Sequence, residues 1–249
     1  MILHGEQSIE IIKTLPLEGQ FDFKSTVLGV YDKGKGMLIK QESVMVDAQG
    51  TEYVKLVSGV FVRGLGGFGG EKQAPETSYA PPARAPDAVA EYKTSPHQAL
   101  LYRLNGYVSS PAWCYLIRNQ SSYLLLSSVF FFFFLFSFAV HPPSDYNPLH
   151  ADPTVAKMVS FPAPILHGLA TFGIAASSIL QTLLNNDPKQ FKALRVRFAS
   201  PVFPGETLVT EMWKSGKDVI FQSKVKERNV VVLSNAVLET TSGIPSSKL

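Results

Sequence analysis

Asp145, Asn147 and His150 are grouped around a proline in the stretch Asp145-Tyr146-Asn147-Pro148-Leu149-His150. A carboxylate and an imidazole on either side of one turn can converge on a single water and share general base and general acid work. Asn147 can orient that water or hold the turn. Downstream, Gly168 opens a long apolar run. The first N–H groups of a helix lack intrahelical acceptors and lie at the positive end of its dipole, so the Gly168 N–H suits an oxygen on which negative charge builds. Taken alone, Asp-x-Asn-Pro-x-His reads more readily as a helix cap, because Asp and Asn cap helices routinely. Its coupling to a helix that starts at His167-Gly168, and to the C-terminal tripeptide discussed below, makes it a catalytic candidate. His167 itself reads as structural, packed near that helix start.

The elements that must position these groups are mostly strands. Phe21-Asp22-Phe23-Lys24 alternates, and Gly29 to Met45 carries apolar runs on both sides of the polar turn Asp32-Lys33-Gly34-Lys35-Gly36, the pattern of a hairpin. A further strand is predicted over 54–62. It ends in Gly64-Leu65-Gly66-Gly67-Phe68-Gly69-Gly70, which superficially resembles a phosphate loop. No helical pattern and no Lys-Ser/Thr pair follow, so the run reads as a strand end and flexible turn. Residues 71–86, rich in Pro and Ala, read as a linker. Strands are predicted at 192–199, 206–214, 217–226 and 229–240. One helix is predicted among them: Leu169, Phe172, Ala176, Ile179, Leu180 and Leu183 follow helical spacing, with small residues between them. It is apolar around most of its circumference and should be buried, stopping before Asn186-Asp187-Pro188. One apolar helix followed by antiparallel strands is an α+β arrangement.

Composition narrows the class. The chain has 249 residues, 45% hydrophobic and 17% charged, enough for one large domain or two small ones. A net charge of +3 with no Lys/Arg cluster argues against a nucleic-acid partner. The single cysteine, Cys114, removes internal disulfides and Cys-based zinc sites and fits a reducing compartment. The N-terminal residues do not read as a signal peptide. Ser247-Lys248-Leu249 is the tripeptide that import receptors take as a peroxisomal address, on a polar tail over 241–249.

Residues 107–144 stand apart. Tyr123 to Val140 carries no charge and includes Phe130 to Phe134 in succession, so length and hydropathy admit a membrane span. The flanks lack an aromatic belt or strong basic bias, and a membrane association is not expected. A second reading comes from the genetic code. Phe, Leu and Ser can be written in pyrimidine-only codons, as in the tract ahead of a splice acceptor. Gly106-Tyr107-Val108 can be encoded as GG|GUAUGUN and Ser144 as AG|U, so removal would join Gly106 to Asp145 in frame. As protein, the segment would be an exposed apolar patch prone to aggregation.

With 107–144 excised, Tyr102-Arg103-Leu104-Asn105-Gly106 runs into Asp145-Tyr146-Asn147-Pro148-Leu149-His150-Ala151-Asp152-Pro153. That sequence resembles the signature of the R-specific enoyl-CoA hydratases, the MaoC-like hydratase 2 family. The likeness continues through Pro164-Ile165-Leu166-His167-Gly168-Leu169, Arg197-Phe198, Phe203 to Leu208 and Glu211-Met212-Trp213. It also runs back through Leu3-His4-Gly5-Glu6-Gln7, Asp32-Lys33-Gly34 and the Gly64–Gly70 run. The resemblance implies an α+β double hot-dog, each repeat a helix wrapped by a curved antiparallel sheet. A partial first repeat and linker would occupy 1–85, and a catalytic repeat 86–249. Within the first repeat the sequence starts late, so that repeat's own helix is expected to be missing.

The implied chemistry is hydration of trans-2-enoyl-CoA to (3R)-3-hydroxyacyl-CoA in peroxisomal fatty-acid β-oxidation, expected to be impaired in this chain by the late start of the first repeat together with the insert. Asp145, His150, Asn147 and Gly168 would be catalytic. His4, Gly5 and Lys33 would contact the CoA thioester portion of the ligand, with Lys33, beside Gly34 in a hairpin turn, suited to a CoA phosphate, and Phe198 would line the site. No metal and no cofactor is implied, because CoA is carried by the substrate. Partners would be acyl-CoA, the import receptor and a second copy in a homodimer. Two alternatives stand beside this: a non-catalytic splice form, and a membrane-anchored acyl-CoA-binding hot-dog protein. A thioesterase is disfavoured, because the Asp-Asn-His spacing belongs to hydratases.

Overall fold

The apolar run from Gly168 winds into a helix because its residues leave almost no polar face to water. A computed structural model describes residues 2–16, 18–72, 77–104 and 147–245. Nine strands, β1 (Ile2–Ile11), β2 (Asp22–Asp32), β3 (Gly36–Val46), β4 (Glu52–Arg63), β5 (Ala88–Lys93), β6 (Phe191–Phe198), β7 (Thr207–Ser215), β8 (Asp218–Val225) and β9 (Val230–Thr240), form one sheet. Its order is β2-β3-β4-β1-β6-β9-β8-β7-β5, with antiparallel neighbours throughout. Among the described residues three α-helices, α1 (Gln98–Arg103), α2 (Pro153–Met158) and α3 (Gly168–Leu183), accompany it, and α3 packs on β5, β6, β7 and β9. This is a hot-dog arrangement, an α+β fold, as the sequence implied.

The predicted central helix coincides with α3. Phe172, Ile179 and Leu180 are fully buried, and such side chains stabilise the fold by roughly 1.5–3 kcal/mol each. Asn185 and Asn186 both adopt left-handed backbone (φ 52° and 55°), and the Asn186 N–H donates back to Leu180 O at 2.8 Å. That turn satisfies a terminal carbonyl and ends the helix. Asp187-Pro188 then starts a new turn, with the Asp187 carboxylate accepting from the Lys189 N–H at 3.0 Å.

The predicted strands are all present, and two were not anticipated. β1 sits in the middle of the sheet and joins its halves, pairing Ile9 with Leu56 on one side and Leu194 on the other. All three are buried in the core. β5 is the opposite edge. Among the described residues no helix is long and apolar enough to cross a membrane. The segment 107–144, Asp145, and Ser247, Lys248 and Leu249 lie outside the described residues.

β5 is short and edge-placed, and two carboxylates clamp its ends. The Glu227 carboxylate accepts from the Thr207 N–H (2.9 Å) and hydroxyl (2.8 Å) and from Lys93 Nζ (3.0 Å). Asp87 takes a two-pronged bond from Arg84 (2.7 and 2.8 Å) and the Lys214 N–H at 2.7 Å. The Thr207 backbone N–H foremost lowers the Glu227 carboxyl to about 2, and the Arg84 side chain foremost lowers Asp87 to about 2. Both are depressed on folding, so their contribution is complete above the ordinary values of 4.5 and 3.8 and is lost as pH falls towards 2. We predict that acidification across that window loosens β5 before the rest of the sheet. Trp213, whose indole N–H donates to Arg84 O at 3.0 Å, provides the fluorescence probe. Glu227→Gln should weaken the acid dependence of its signal, and an unchanged profile would remove Glu227 from the clamp.

Candidate active site

His150 ends a single 3-10 turn, Pro148–His150. The turn forms because Asn147 precedes a proline and its side-chain oxygen accepts from the Leu149 N–H at 3.1 Å. Asp152 caps α2 in the same way, accepting from the Thr154 N–H at 2.7 Å. The Asn147 side-chain oxygen therefore holds the turn. The imidazole of His150 is buried, and its Nδ1 lies 2.8 Å from Ile165 O. A carbonyl oxygen can only accept, so Nδ1 carries the proton and, in the neutral ring, Nε2 holds the lone pair. The protein thus fixes the tautomer that a base at Nε2 requires.

The segment carrying Ile165 is itself fixed. Leu166 N–H donates to Val202 O at 2.7 Å, and two residues later α3 begins. His167, at the helix N-cap position, stacks on His150 with ring centroids 3.7 Å apart and planes 25° from parallel. Tyr102 of α1 covers it at 4.5 Å. One pile of three rings therefore ties α1, the His150 turn and the start of α3 together.

On the other side of the α3 start, Phe198 at the end of β6 lies against Gly168. A Cβ at Gly168 would come within 3.2 Å of the Phe198 ring, so the glycine lets ring and backbone approach closely. The His4 ring is 4.9 Å from Phe198 and its Nε2 bonds Gln7 Oε1 at 2.8 Å. His4 reaches that face because Gly5 is an extra residue in β1: His4 pairs with Val60 and Glu6 with Gly59, a bulge that re-aims the side chain. Pro96, Ala99, Leu100, Ala163, Pro164 and Phe203 line an apolar hollow of about 240 Å³, with His150 on its wall.

Of the residues singled out from sequence, His150, Asn147, Gly168, Phe198, His4 and Gly5 are brought to this one region by the α3 start and its neighbouring strands. Lys33 is not. It sits exposed on the β2–β3 turn, with β3 and β4 lying between β2 and β1. Asp145 lies outside the described residues. Tyr102 and the Ile165 carbonyl were missed, since a ring in an unremarkable helix and a backbone oxygen carry no motif.

Residues 142–236 match the MaoC like domain, and residues 1–64 match the MFE-2 hydratase 2 N-terminal domain. Enoyl-CoA hydratase 2, peroxisomal, of Arabidopsis thaliana is 37% identical over 95% of this chain and 68% of its own length. The chain belongs to the MaoC-like hydratase 2 family. Peroxisomal multifunctional enzyme type 2 of Mus musculus is 39% identical over 95% of this chain, which spans only 27% of that longer protein. Among solved structures, a MaoC-like dehydratase from Phytophthora capsici superimposes with a TM-score of 0.76 at 39% identity, over 97% of this chain and 72% of that one. Some relatives of this hydratase 2 chain are named as enoyl-CoA hydratases, and some as peroxisomal.

Proposed function

We propose that this chain hydrates trans-2-enoyl-CoA to (3R)-3-hydroxyacyl-CoA. The observation that carries the reading is the His150 Nδ1–H bond to Ile165 O, made by a ring stacked on His167 at the start of α3. Water adds across the double bond: its oxygen bonds C3, the carbon–carbon π bond breaks, and a proton arrives at C2. Asp145 and His150 divide the two proton transfers, one taking the water proton and the other delivering a proton to C2. Asn147 keeps their turn in register. As the thioester oxygen gains negative charge, the Gly168 N–H stabilises it, aided by the positive end of the α3 dipole. His4 and Gly5 approach the thioester portion of the ligand, Phe198 lines the site, and Lys33 meets a phosphate of CoA. Substrate carries the CoA, and the reaction asks for no metal and no further cofactor.

The same reading assigns a partial first repeat to 1–85 and the catalytic repeat to 86–249. It places the chain in peroxisomal fatty-acid β-oxidation, delivered by an import receptor through Ser247-Lys248-Leu249 and working as a homodimer. The names of the hydratase 2 relatives support the location.

The test is a hydration assay with a medium-chain trans-2-enoyl-CoA, following loss of the conjugated thioester absorbance and the configuration of the product. R-configured 3-hydroxyacyl-CoA is expected. Release of free CoA would mark a thioesterase, and S-configured product would contradict the placement of water and proton donor on the substrate.

A further inference from the structure

The glycine-rich run after β4, Gly64 to Gly70, invites a phosphate, and the structure shows what occupies its amides instead. Asp32, the last residue of β2, accepts from three backbone N–H groups: Gly34 at 2.8 Å, Gly67 at 2.9 Å and Gly69 at 2.9 Å. The concave amide cluster that could receive an anion thus already holds a carboxylate. These bonds, Gly67 first and Gly34 next, hold the Asp32 carboxyl below its ordinary range, so it is ionised at neutral pH.

The clasp has a second, independent part. The Gly64–Gly70 run folds back over the β2–β3 turn, with the Gly64 N–H donating to Lys35 O at 2.9 Å and the Asp32 N–H to Glu71 O at 3.0 Å. Between them Gly66 lies directly on the turn. A Cβ there would fall 2.4 Å from both Gly34 O and Gly36 N, a backbone clash that no flexible group can relieve. Gly67 and Gly69 supply positive φ (76° and 71°), which aims both N–H groups at one carboxylate. What this assembly fixes is the short turn carrying Lys33, whose own N–H donates to Gly36 O at 2.9 Å.

We infer that Asp32 is a positioning residue for CoA recognition: its carboxylate gathers the glycine-rich run and so sets the turn from which Lys33 meets the nucleotide end of the ligand. This rests on the reading of Lys33 given above. Geometry agrees with a role at that end of the ligand, because β2 lies three strands from the strand of His4, about 14 Å at the usual strand spacing. That separation suits a ligand whose thioester and phosphates are joined by an extended arm. Asp32 touches no ligand itself. It acts through Lys33, and its three N–H bonds compensate its charge.

The experiment is a double-mutant cycle on the full chain, read as the dissociation constants of CoA and of pantetheine, which lacks the nucleotide. Lys33→Ala should weaken CoA about tenfold and leave pantetheine unchanged. Asp32→Ala should do the same, and Asp32→Asn should be milder because its amide oxygen still accepts. The double variant Asp32→Ala/Lys33→Ala should be no weaker than Lys33→Ala, the non-additivity expected when one residue acts through the other. CoA binding untouched by Asp32→Ala, additive losses, or equal loss of pantetheine would each overturn the inference. An unaltered chain that binds no CoA, or a Lys33→Ala variant that binds it normally, would overturn the reading beneath it as well.

Discussion

Replacing His150 with asparagine is expected to lower kcat for enoyl-CoA hydration by about 10²–10⁴-fold, the usual contribution of a positioned acid–base group. Asparagine is the informative choice over alanine. The His150 ring is buried and its Nδ1–H satisfies Ile165 O at 2.8 Å. Alanine would leave that oxygen without its donor at a cost of about 1–3 kcal/mol, besides opening a space against His167. The Asn side-chain NH2 comes close to the position of Nδ1 and can still donate to Ile165 O. It has nothing at the place of Nε2 that can take or give a proton. Thermal midpoint and KM should therefore change little while kcat collapses. Activity within a few-fold of the unaltered chain would remove His150 from the chemistry and leave it as a ring that packs under α3.

Some of this was legible in the sequence because single segments carried it. The central helix follows from its own apolar residues and from the Asn185-Asn186-Asp187-Pro188 stop, which the left-handed asparagines execute. Strands β6 to β9 are rich in β-branched and aromatic residues and bounded by turn formers. β1 was not recognised, because the Gly5 bulge breaks its alternation part-way along. β5 is six residues of largely Ala, Glu and Lys, types with weak strand preference, and the clamps at Asp87 and Glu227 hold it where local preference does not. In the candidate site, His150 and Gly168 were singled out from type and spacing, and the fold brings them to one region. The ring pile of Tyr102, His167 and His150 was not, since its members come from three elements. Nor was the Asp32 clasp: its partners are backbone N–H groups far along the chain, and an amide's direction is set by φ and ψ, which residue type constrains only loosely.

Excision of 107–144 is expected to raise kcat about a hundredfold over the chain as written, with KM moving less. Much of what positions His150 is independent of that segment: the Asn147 cap, the bond to Ile165 O, the Leu166–Val202 tie and the His167 stack all lie within 147–202. Asp145 is different, because its position depends on the chain before it as well as after. In the rejoined chain, Tyr102-Arg103-Leu104-Asn105-Gly106 leads straight into Asp145. Tyr102 and His150 each pack against the His167 ring, so both ends of the short connection are pinned to one ring. A long connection pins it less: each doubling of loop length costs about 0.6 kcal/mol to close. A misplacement of about 1 Å near the reacting atoms can cost roughly a hundredfold in rate. The decisive control is the excised chain carrying Asp145→Asn, which should lose the gain, because the gain is attributed to Asp145 alone. Equal activity with and without the segment would make 107–144 a tolerated insertion, and a gain that survives Asp145→Asn would assign the effect to folding yield in place of the active site.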